Sequence, residues 1–571
     1  MENKSIADIF TGIADILDIQ GENPFRIRSY RNAARTIADM GERVQALVSA
    51  GKNLEEIPGI GKSIHEKIEE ILSTGKCQLL EELRSKIPPG LTELLKLEGL
   101  GPKKVKLLYD QLQVDSVDRL EKAAQSGRLR NLDGMGMKTE EKILKSIEQY
   151  RAGMGRFKLS VGFTYTEALK KYLEGVPGVK RLDSAGSFRR RQETIGDLDI
   201  LAICNRGCQI MDRFAEYEDV AEVIAKGETK SSVRLRDGLQ VDIRVLAEEN
   251  YGAALHYFTG SKAHNVAIRE KAKALGLKVS EYGVFRAKDE KRLSGAKEED
   301  VFQAVGLPFI PPELREDRGE IQAAEKGQLP RLIELADIRG DLQMHTVATD
   351  GKNSIRDMAE KAGEMGYSYI AITDHSKAVR VAGGLGEKEM AKHLKEIEKV
   401  NNQFPDVRIL KGVEVDILPD GSLDLKDDVL KECEVVLAAV HSRFSMEEGE
   451  MTRRIIKALK NPRVKILAHP TGRLILEREP YRVNLKEIIQ AAIEEGVVLE
   501  INAYPDRLDL RDADARMAKE MGAKLAISTD AHSVPQMEVM KFGVFTARRG
   551  WVEAKDVINT LPLGELLKIP R

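Results

Sequence analysis

Apolar spacing along this chain changes character several times. In the N-terminal part, helical patterns flank three short glycine-bearing turns: Ile57-Pro58-Gly59-Ile60-Gly61-Lys62, Leu97-Glu98-Gly99-Leu100-Gly101-Pro102 and Leu132-Asp133-Gly134-Met135-Gly136-Met137-Lys138. Strict alternation follows at Asp197-Leu198-Asp199-Ile200 and at Leu239-Gln240-Val241-Asp242-Ile243-Arg244-Val245, the period of two that predicts strands with one face in the core. Lys262 to Leu275 has helical spacing, which sets Asn265 and Arg269 four apart on one face. Pro311 to Ile338 breaks the pattern with Pro311-Pro312, a charged run and Pro330, and reads as a linker with a short helix. Beyond it, apolar strands near Ile338, Ile370, Leu410, Val436, Ile466, Val498 and Leu525 alternate with helices. Seven such β/α units predict a barrel.

Composition bounds this picture. A chain of 571 residues is too long for one core, so several domains are expected. Its four cysteines, Cys77, Cys204, Cys208 and Cys433, are scattered, which suits a reducing compartment and offers no thiolate zinc site. No apolar run is long enough to span a bilayer, and Met1 to Gln20 lacks the basic-then-apolar layout of a secretion signal. A cytoplasmic setting is therefore expected. Charge is nearly balanced: residues 1–315 carry 51 Lys and Arg against 48 Asp and Glu, and the remainder 39 against 44. Any nucleic-acid contact must come from local patches and backbone donors.

Candidate chemistry begins in the alternating segments. Asp197 and Asp199 share one strand face, and if the strand carrying Asp242 is a neighbour, three carboxylates converge on a patch suited to two divalent cations. Taken alone, Asp-x-Asp is more simply a solvated strand edge. Upstream, Gly186-Ser187-Phe188-Arg189-Arg190 reads as a phosphate-cradling turn, and with the third carboxylate it favours a nucleotidyl-transfer site. These residues resemble the DNA polymerase X family. The resemblance implies Mg²⁺ or Mn²⁺ at Asp197, Asp199 and Asp242, with Asp242 as the base, and a triphosphate held by Gly186, Ser187 and Arg190. It also implies that Tyr257, Phe258, Gly260 and Ser261 form the sugar-contacting segment, that Asn265 touches the incoming nucleotide, and that Arg269 touches the template.

Paired glycines let a hairpin bring backbone N–H groups close to a phosphate at the start of the next helix. The three turns resemble helix-hairpin-helix motifs, which implies DNA binding through Gly59, Gly61, Gly99, Gly101, Gly134 and Gly136. In beta-type members of the polymerase family a lysine in the helix after the first hairpin forms a Schiff base with a deoxyribose remnant. Lys67 falls at that place, although Ser63 stands where a supporting lysine occurs; a solvated helix lysine is the plainer reading.

Five of the nine histidines lie at the C-terminal ends of the seven apolar strands. In a β/α barrel those ends ring one mouth. His345, His375, His441, His469 and His532, accompanied by Asp350, Glu414 and Asp530, point to a multinuclear metal site. This portion is similar to the polymerase and histidinol phosphatase (PHP) family of metal-dependent phosphoesterases, which implies that these eight residues hold Mn²⁺, Zn²⁺ or Fe. One departure stands out: the family opens with His-x-His, whereas this chain has Gln343.

The expected fold class is multidomain α+β and α/β. Residues 1–85 form a helical lyase-like DNA-binding domain, 86–152 a second hairpin-bearing domain, 153–247 a nucleotidyltransferase palm and 248–312 a nucleotide-selecting subdomain; 313–337 is the linker and 338–571 a (β/α)7 PHP barrel. The expected activity is gap-filling DNA polymerisation in repair joined to 3'-5' exonuclease action, with abasic-site or 3'-phosphate cleavage as neighbouring reactions. The partners are gapped or primer-template DNA and dNTPs, with no membrane, and the chain is expected to be a monomer. Two other readings compete: a small-molecule or DNA 3'-end phosphoesterase whose N-terminal half only recruits it to DNA, and a DNA-end scaffold with two degraded sites.

Overall fold

Helical spacing and strict alternation fold as separate units in the computed structural model, which describes residues 3–39, 44–49, 52–57, 60–88, 90–95, 97, 99–132, 134–153, 155–205 and 208–569. One unit is residues 1–154 and the other 155–571. Among the described residues no helix is long and apolar enough to cross a membrane.

The first unit is helical and holds two apolar cores. Phe10, Ile13 and Leu17 of helix Asn3–Gln20 pack with Tyr30 and Ile37 of Pro24–Asp39 and with Ile64, Ile68 and Ile71 of Lys62–Thr74. The last three recur at spacings of four and three, so they share one helix face. A second core joins Leu94, Val105, Leu108, Leu120, Ile143 and Ile147. The helices Lys62–Thr74, Pro102–Leu112 and Met137–Gly153 each begin directly after a glycine turn.

In the second unit, β1 (Val179–Ser184), β2 (Asp197–Cys204), β3 (Val220–Lys226), β4 (Lys230–Leu235) and β5 (Gln240–Val245) form a sheet of order β1-β2-β5-β4-β3. Alternation decides which face is which: Leu198, Ile200, Val241 and Ile243 are fully buried, so the aspartates between them share the other face. β2 and β5 run parallel and adjacent, with Asp199 directly opposite Asp242. Helices Tyr251–Thr259 and Lys262–Ala274 follow, and the hydroxyl of Ser261 accepts from the His264 N–H to cap the second.

The stretch read as a linker is packed rather than extended. Arg315 is completely buried, its guanidinium donating to Glu298 at 2.6 Å and to the carbonyl of Ile310 at 2.8 Å. Glu320, equally buried, meets His264 at 2.7 Å. A run of charges between prolines looks solvated in sequence; here each buried charge has a distant partner, which is the condition for keeping it out of water.

Seven further strands, β6 (Gly340–Asp341), β7 (Tyr369–Ile372), β8 (Arg408–Asp416), β9 (Val435–Ala439), β10 (Ile466–Leu467), β11 (Val498–Asn502) and β12 (Leu525–Ser528), make up the C-terminal sheet. They are parallel and lie in chain order. A single bridge between Met344 and Ala531, just past the ends of the first and last strands, nearly closes the ring. Ile370, Val436, Ala438, Ile501 and Ile527 pack in the larger core with the surrounding helices, while Tyr369, Ala371, Leu437, Ala439 and Ala526 form a second, separate core. Burial on both faces explains why these strands read as continuous apolar runs rather than alternating ones.

Candidate functional site

The sheet site is built around Asp199. Gly186 sits at φ +61°, and a Cβ there would lie 2.4 Å from Asp199 Oδ2, so only glycine lets the turn Gly186–Arg189 rest on that carboxylate. The Ala185 N–H donates to the Asp199 carbonyl at 2.9 Å, tying the turn to β2. Burial, then the charges of Asp197 and Asp242, push the Asp199 carboxyl up to about 7. Asp197 is also raised, by burial and by Asp242. Asp242 behaves oppositely. Burial works against its charge, but hydrogen bonds from Lys230, Gln240 and Ser232 outweigh it and hold the carboxyl below its ordinary value; Lys230 Nζ lies 2.8 Å and Gln240 Nε2 3.0 Å from its two oxygens. A buried patch that raises two of its three carboxyls above their ordinary range favours the arrival of positive charge and fits divalent cations.

At the barrel mouth the strand ends bring all eight sequence-named residues together. Glu414, at the centre and fully buried, faces four imidazoles: His469 at 2.9 Å, His441 at 3.2 Å, and His345 and His375 at 3.3 Å. His345 also lies 3.1 Å from Asp530, and Asp350 lies 3.4 Å from His532 and 3.6 Å from His375. Three overlapping groups have spacing suited to a cation: His345, Asp350, His375 and His532; His375, Glu414 and His441; and His345, Glu414 and Asp530. His345 Nε2, His375 Nδ1 and Glu414 Oε2 are buried without a hydrogen bond, so their lone pairs converge on space that a metal ion would satisfy. Burial opposes the His441 imidazolium, but Glu414 and Asp416 outweigh it and push the ring up to about 9. Burial and the charge on His345 bring His375 down to about 4. Burial likewise opposes the Glu414 carboxylate, which His375 and His441 nonetheless hold well below its ordinary range.

Family profiles match four segments: a helix-hairpin-helix domain over residues 1–77, a SAM-like helix-hairpin-helix tandem over 91–149, the DNA polymerase beta thumb over 254–316 and the PHP domain over 341–504. The chain is 39% identical over 568 residues to the DNA polymerase/3'-5' exonuclease PolX of Bacillus subtilis strain 168, covering 99% of both chains. It belongs to the PolX family. Its barrel portion is also 32% identical, over 203 residues and 78% of the relative's length, to a probable phosphatase of Thermoanaerobacter. A probable phosphatase of Shewanella is 29% identical over 241 residues.

In this PolX-family chain several sequence-named residues are already engaged. Arg190 donates through Nε to Glu316 at 3.0 Å and through Nη1 to the Thr259 carbonyl. Tyr257 and Phe258 are half-buried, edge to face at 5.1 Å, with the Arg244 guanidinium 4.4 Å from the Phe258 ring centre. Asn265 donates to the Tyr257 carbonyl at 2.7 Å while its buried Oδ1 has no partner, and Arg269 donates to the Asn265 carbonyl at 3.2 Å. Lys67 is half-buried and donates to the hydroxyl and carbonyl of Ser63, one turn back. Gly59 lies outside the described residues. A Cβ on Gly61, Gly99, Gly101, Gly134 or Gly136 would meet nothing within 4 Å.

Other groups could not be read from the sequence. Asp416 bonds His441 Nδ1 at 3.1 Å and so orients the ring toward Glu414. Asp374, next to His375 in the chain, accepts from Thr346 and Thr349 and faces His393 at 2.8 Å. Glu500 is fully buried and, through burial and then Asp530, held well above its ordinary value. Arg473 pairs with Glu193 at 2.7 Å. The one advance signal was position: Asp416 lies two residues after Glu414 on the same strand face.

Proposed function

We infer that the chain is a DNA-directed DNA polymerase that fills short gaps and that its barrel is a 3'-5' exonuclease. The observation that carries the first activity is the pairing of Asp199 with Asp242 across β2 and β5, under a glycine turn seated on Asp199. Asp197, Asp199 and Asp242 would hold Mg²⁺ or Mn²⁺, hard cations that suit an all-carboxylate set. Such cations lower the pKa of an attacking hydroxyl and neutralise the departing pyrophosphate. Within the chain, Asp242, kept ionised by Lys230 and Gln240, accepts the proton of the primer 3'-hydroxyl. Gly186, Ser187 and Arg190 receive the triphosphate. Tyr257, Phe258, Gly260 and Ser261 crowd the sugar, Asn265 meets the base through its unpartnered Oδ1, and Arg269 meets the template.

At the barrel mouth, His345, Asp350, His375, Glu414, His441, His469, Asp530 and His532 would hold Mn²⁺, Zn²⁺ or Fe, which imidazole and carboxylate donors accept. The ions activate water against a phosphodiester; the chain's own residues fix the ligand rings, Asp416 holding His441. The hairpin glycines would grip duplex backbone. Gly61 and Gly101 have φ of −88° and −90°, which any residue adopts, and open space around them. The fold does not require glycine there, and close approach of a phosphate does.

Primer extension on DNA with a one-nucleotide gap tests the reading. Metal-dependent incorporation by the wild type, lost in Asp242→Ala, is the expected result. A wild type that incorporates nothing refutes it.

A further inference from the structure

The turn that carries Arg190 is gripped from the barrel. Helix Met540–Arg549 follows the last barrel strand, and its final residue, Arg549, is buried against Glu316. One oxygen of Glu316 accepts from Arg190 Nε at 3.0 Å, from Gln192 Nε2 at 2.6 Å and from Arg549 Nη1 at 3.0 Å. Arg549 Nη1 also donates to the carbonyl of Arg190 at 2.8 Å, and its Nη2 is anchored on Asp512 at 2.8 Å. On the other side of the turn, Arg191 stacks over Phe545 at 4.5 Å and over Phe163 at 4.9 Å, and Phe163 in turn packs on Phe542. The same barrel helix therefore touches the cradle through two independent contacts.

Charge gives this arrangement a consequence. A carboxylate bonded to Arg190 alone would neutralise the guanidinium that the triphosphate needs. Shared with Arg549, whose other nitrogen meets an Asp512 that also pairs with Arg318 at 3.0 Å, it belongs to a set of three guanidiniums and two carboxylates, which fixes the plane of Arg190 while leaving net positive charge at the turn. We propose that Arg549 is a positioning residue for polymerisation: it shares the Glu316 carboxylate with Arg190 and keeps the Arg190 charge available to the incoming nucleotide. The exonuclease half thus supplies part of the nucleotide affinity of the polymerase half. This rests on the reading of Arg190 as a triphosphate ligand.

The test uses the full chain, with single-nucleotide incorporation on gapped DNA for KM and kcat, and digestion of single-stranded DNA as a readout of the barrel. Arg549→Met raises the KM for dNTP by about tenfold, with kcat and digestion within about twofold of wild type. Arg549→Met combined with Glu316→Gln, which removes the charge that Arg549 offsets, returns KM to within about threefold of wild type. A merely structural contact would not be rescued by a second lesion. If Arg549→Met loses digestion along with its fold, Arg549→Lys carries the test, with an expected rise of about two- to fourfold because a lysine cannot serve Glu316 and Asp512 at once. An unchanged KM in the variant that folds, or a double variant no better than Arg549→Met, overturns the inference. Arg190→Gln separates the two levels: if it leaves KM unchanged, the reading of the cradle fails and takes the inference with it; if it raises KM and Arg549→Met does not, only the inference fails.

Discussion

The sheet site and the barrel mouth both gather carboxylates, yet they solve opposite problems. On the sheet, Asp199 and Asp242 are cross-strand neighbours, and the nearby positive charges of Lys230 and Arg244 soften their repulsion. In the barrel, five imidazoles and two further carboxylates from segments far apart in sequence gather about one buried glutamate, Glu414, which four of the imidazoles face directly. A carboxylate set of low donor number suits a cation that arrives with the nucleotide and leaves with pyrophosphate. A buried, nitrogen-rich set suits ions that stay. Two ways of exploiting one chemistry can therefore sit in one chain without competing for the same metal.

The largest test of that separation is a pair of alanine substitutions. His441→Ala removes a ligand next to Glu414, so nuclease activity falls by about a thousandfold or more while primer extension stays within about twofold; Asp242→Ala does the reverse. Loss of both activities in either variant would mean that the two sites work as one. Metal retention comes next. After desalting, wild type and Asp242→Ala keep the same transition-metal content by elemental analysis, whereas Glu414→Gln, which disturbs four imidazoles, keeps little of it. Equal retention in Glu414→Gln would place the resident ions elsewhere.

Protonation sharpens the comparison by assigning each site its own pH window in the metal-free protein. Asp199 is raised from 3.8 to about 7. Its folded form holds the proton more tightly than the unfolded chain, so its stabilisation is complete below the ordinary carboxylate range and is lost as pH rises through about 7. His441 is raised from 6.5 to about 9, so its stabilisation is complete below 6.5 and is lost as pH rises through about 9. Thermal melting of metal-free protein should therefore decline in two steps. Asp199→Asn shrinks the lower one, which Asp341 of the barrel, also raised to about 7, shares, and His441→Gln shrinks the upper, each by a few degrees. Added divalent cation should restore stability most where these groups are deprotonated. A melting profile indifferent to both variants would break the assignment.

What the sequence could reveal follows the same division. The convergence of the three carboxylates on the sheet and of the eight residues at the barrel mouth was legible because strand alternation and strand ends convert linear position into spatial position. The residues that aim them were not. Glu316 lies 126 positions from Arg190 and 233 from Arg549, and nothing local marks it as the acceptor they share. Arg315 and Glu320 misled for the same reason: their partners, Glu298 and His264, sit on other elements, so a buried ionic network looked like a solvated linker. Lys67 shows the opposite case. Its place after the first hairpin is written in the sequence, and the hydrogen bonds that hold its half-buried side chain run to its own helix, at Ser63.

The smallest expected effect concerns how complete the barrel site is. Gln343 stands where the PHP family has the first histidine of His-x-His, and it is fully buried with neither Oε1 nor Nε2 hydrogen-bonded. Between it and His345 lies Met344, which packs in the core shared with the helices; extended backbone alternates sides, so Gln343 faces the way His345 does. A carboxamide oxygen is a harder and weaker donor than imidazole, which tilts this position away from zinc and toward manganese. Gln343→His loses no hydrogen bond and adds a nitrogen donor. Competition dialysis against both metals should then show a zinc preference higher by about tenfold or less, which is about 1.4 kcal/mol. An unchanged ratio would mean that residue 343 does not reach the ions, and that the mouth draws its metal preference from the other eight residues alone.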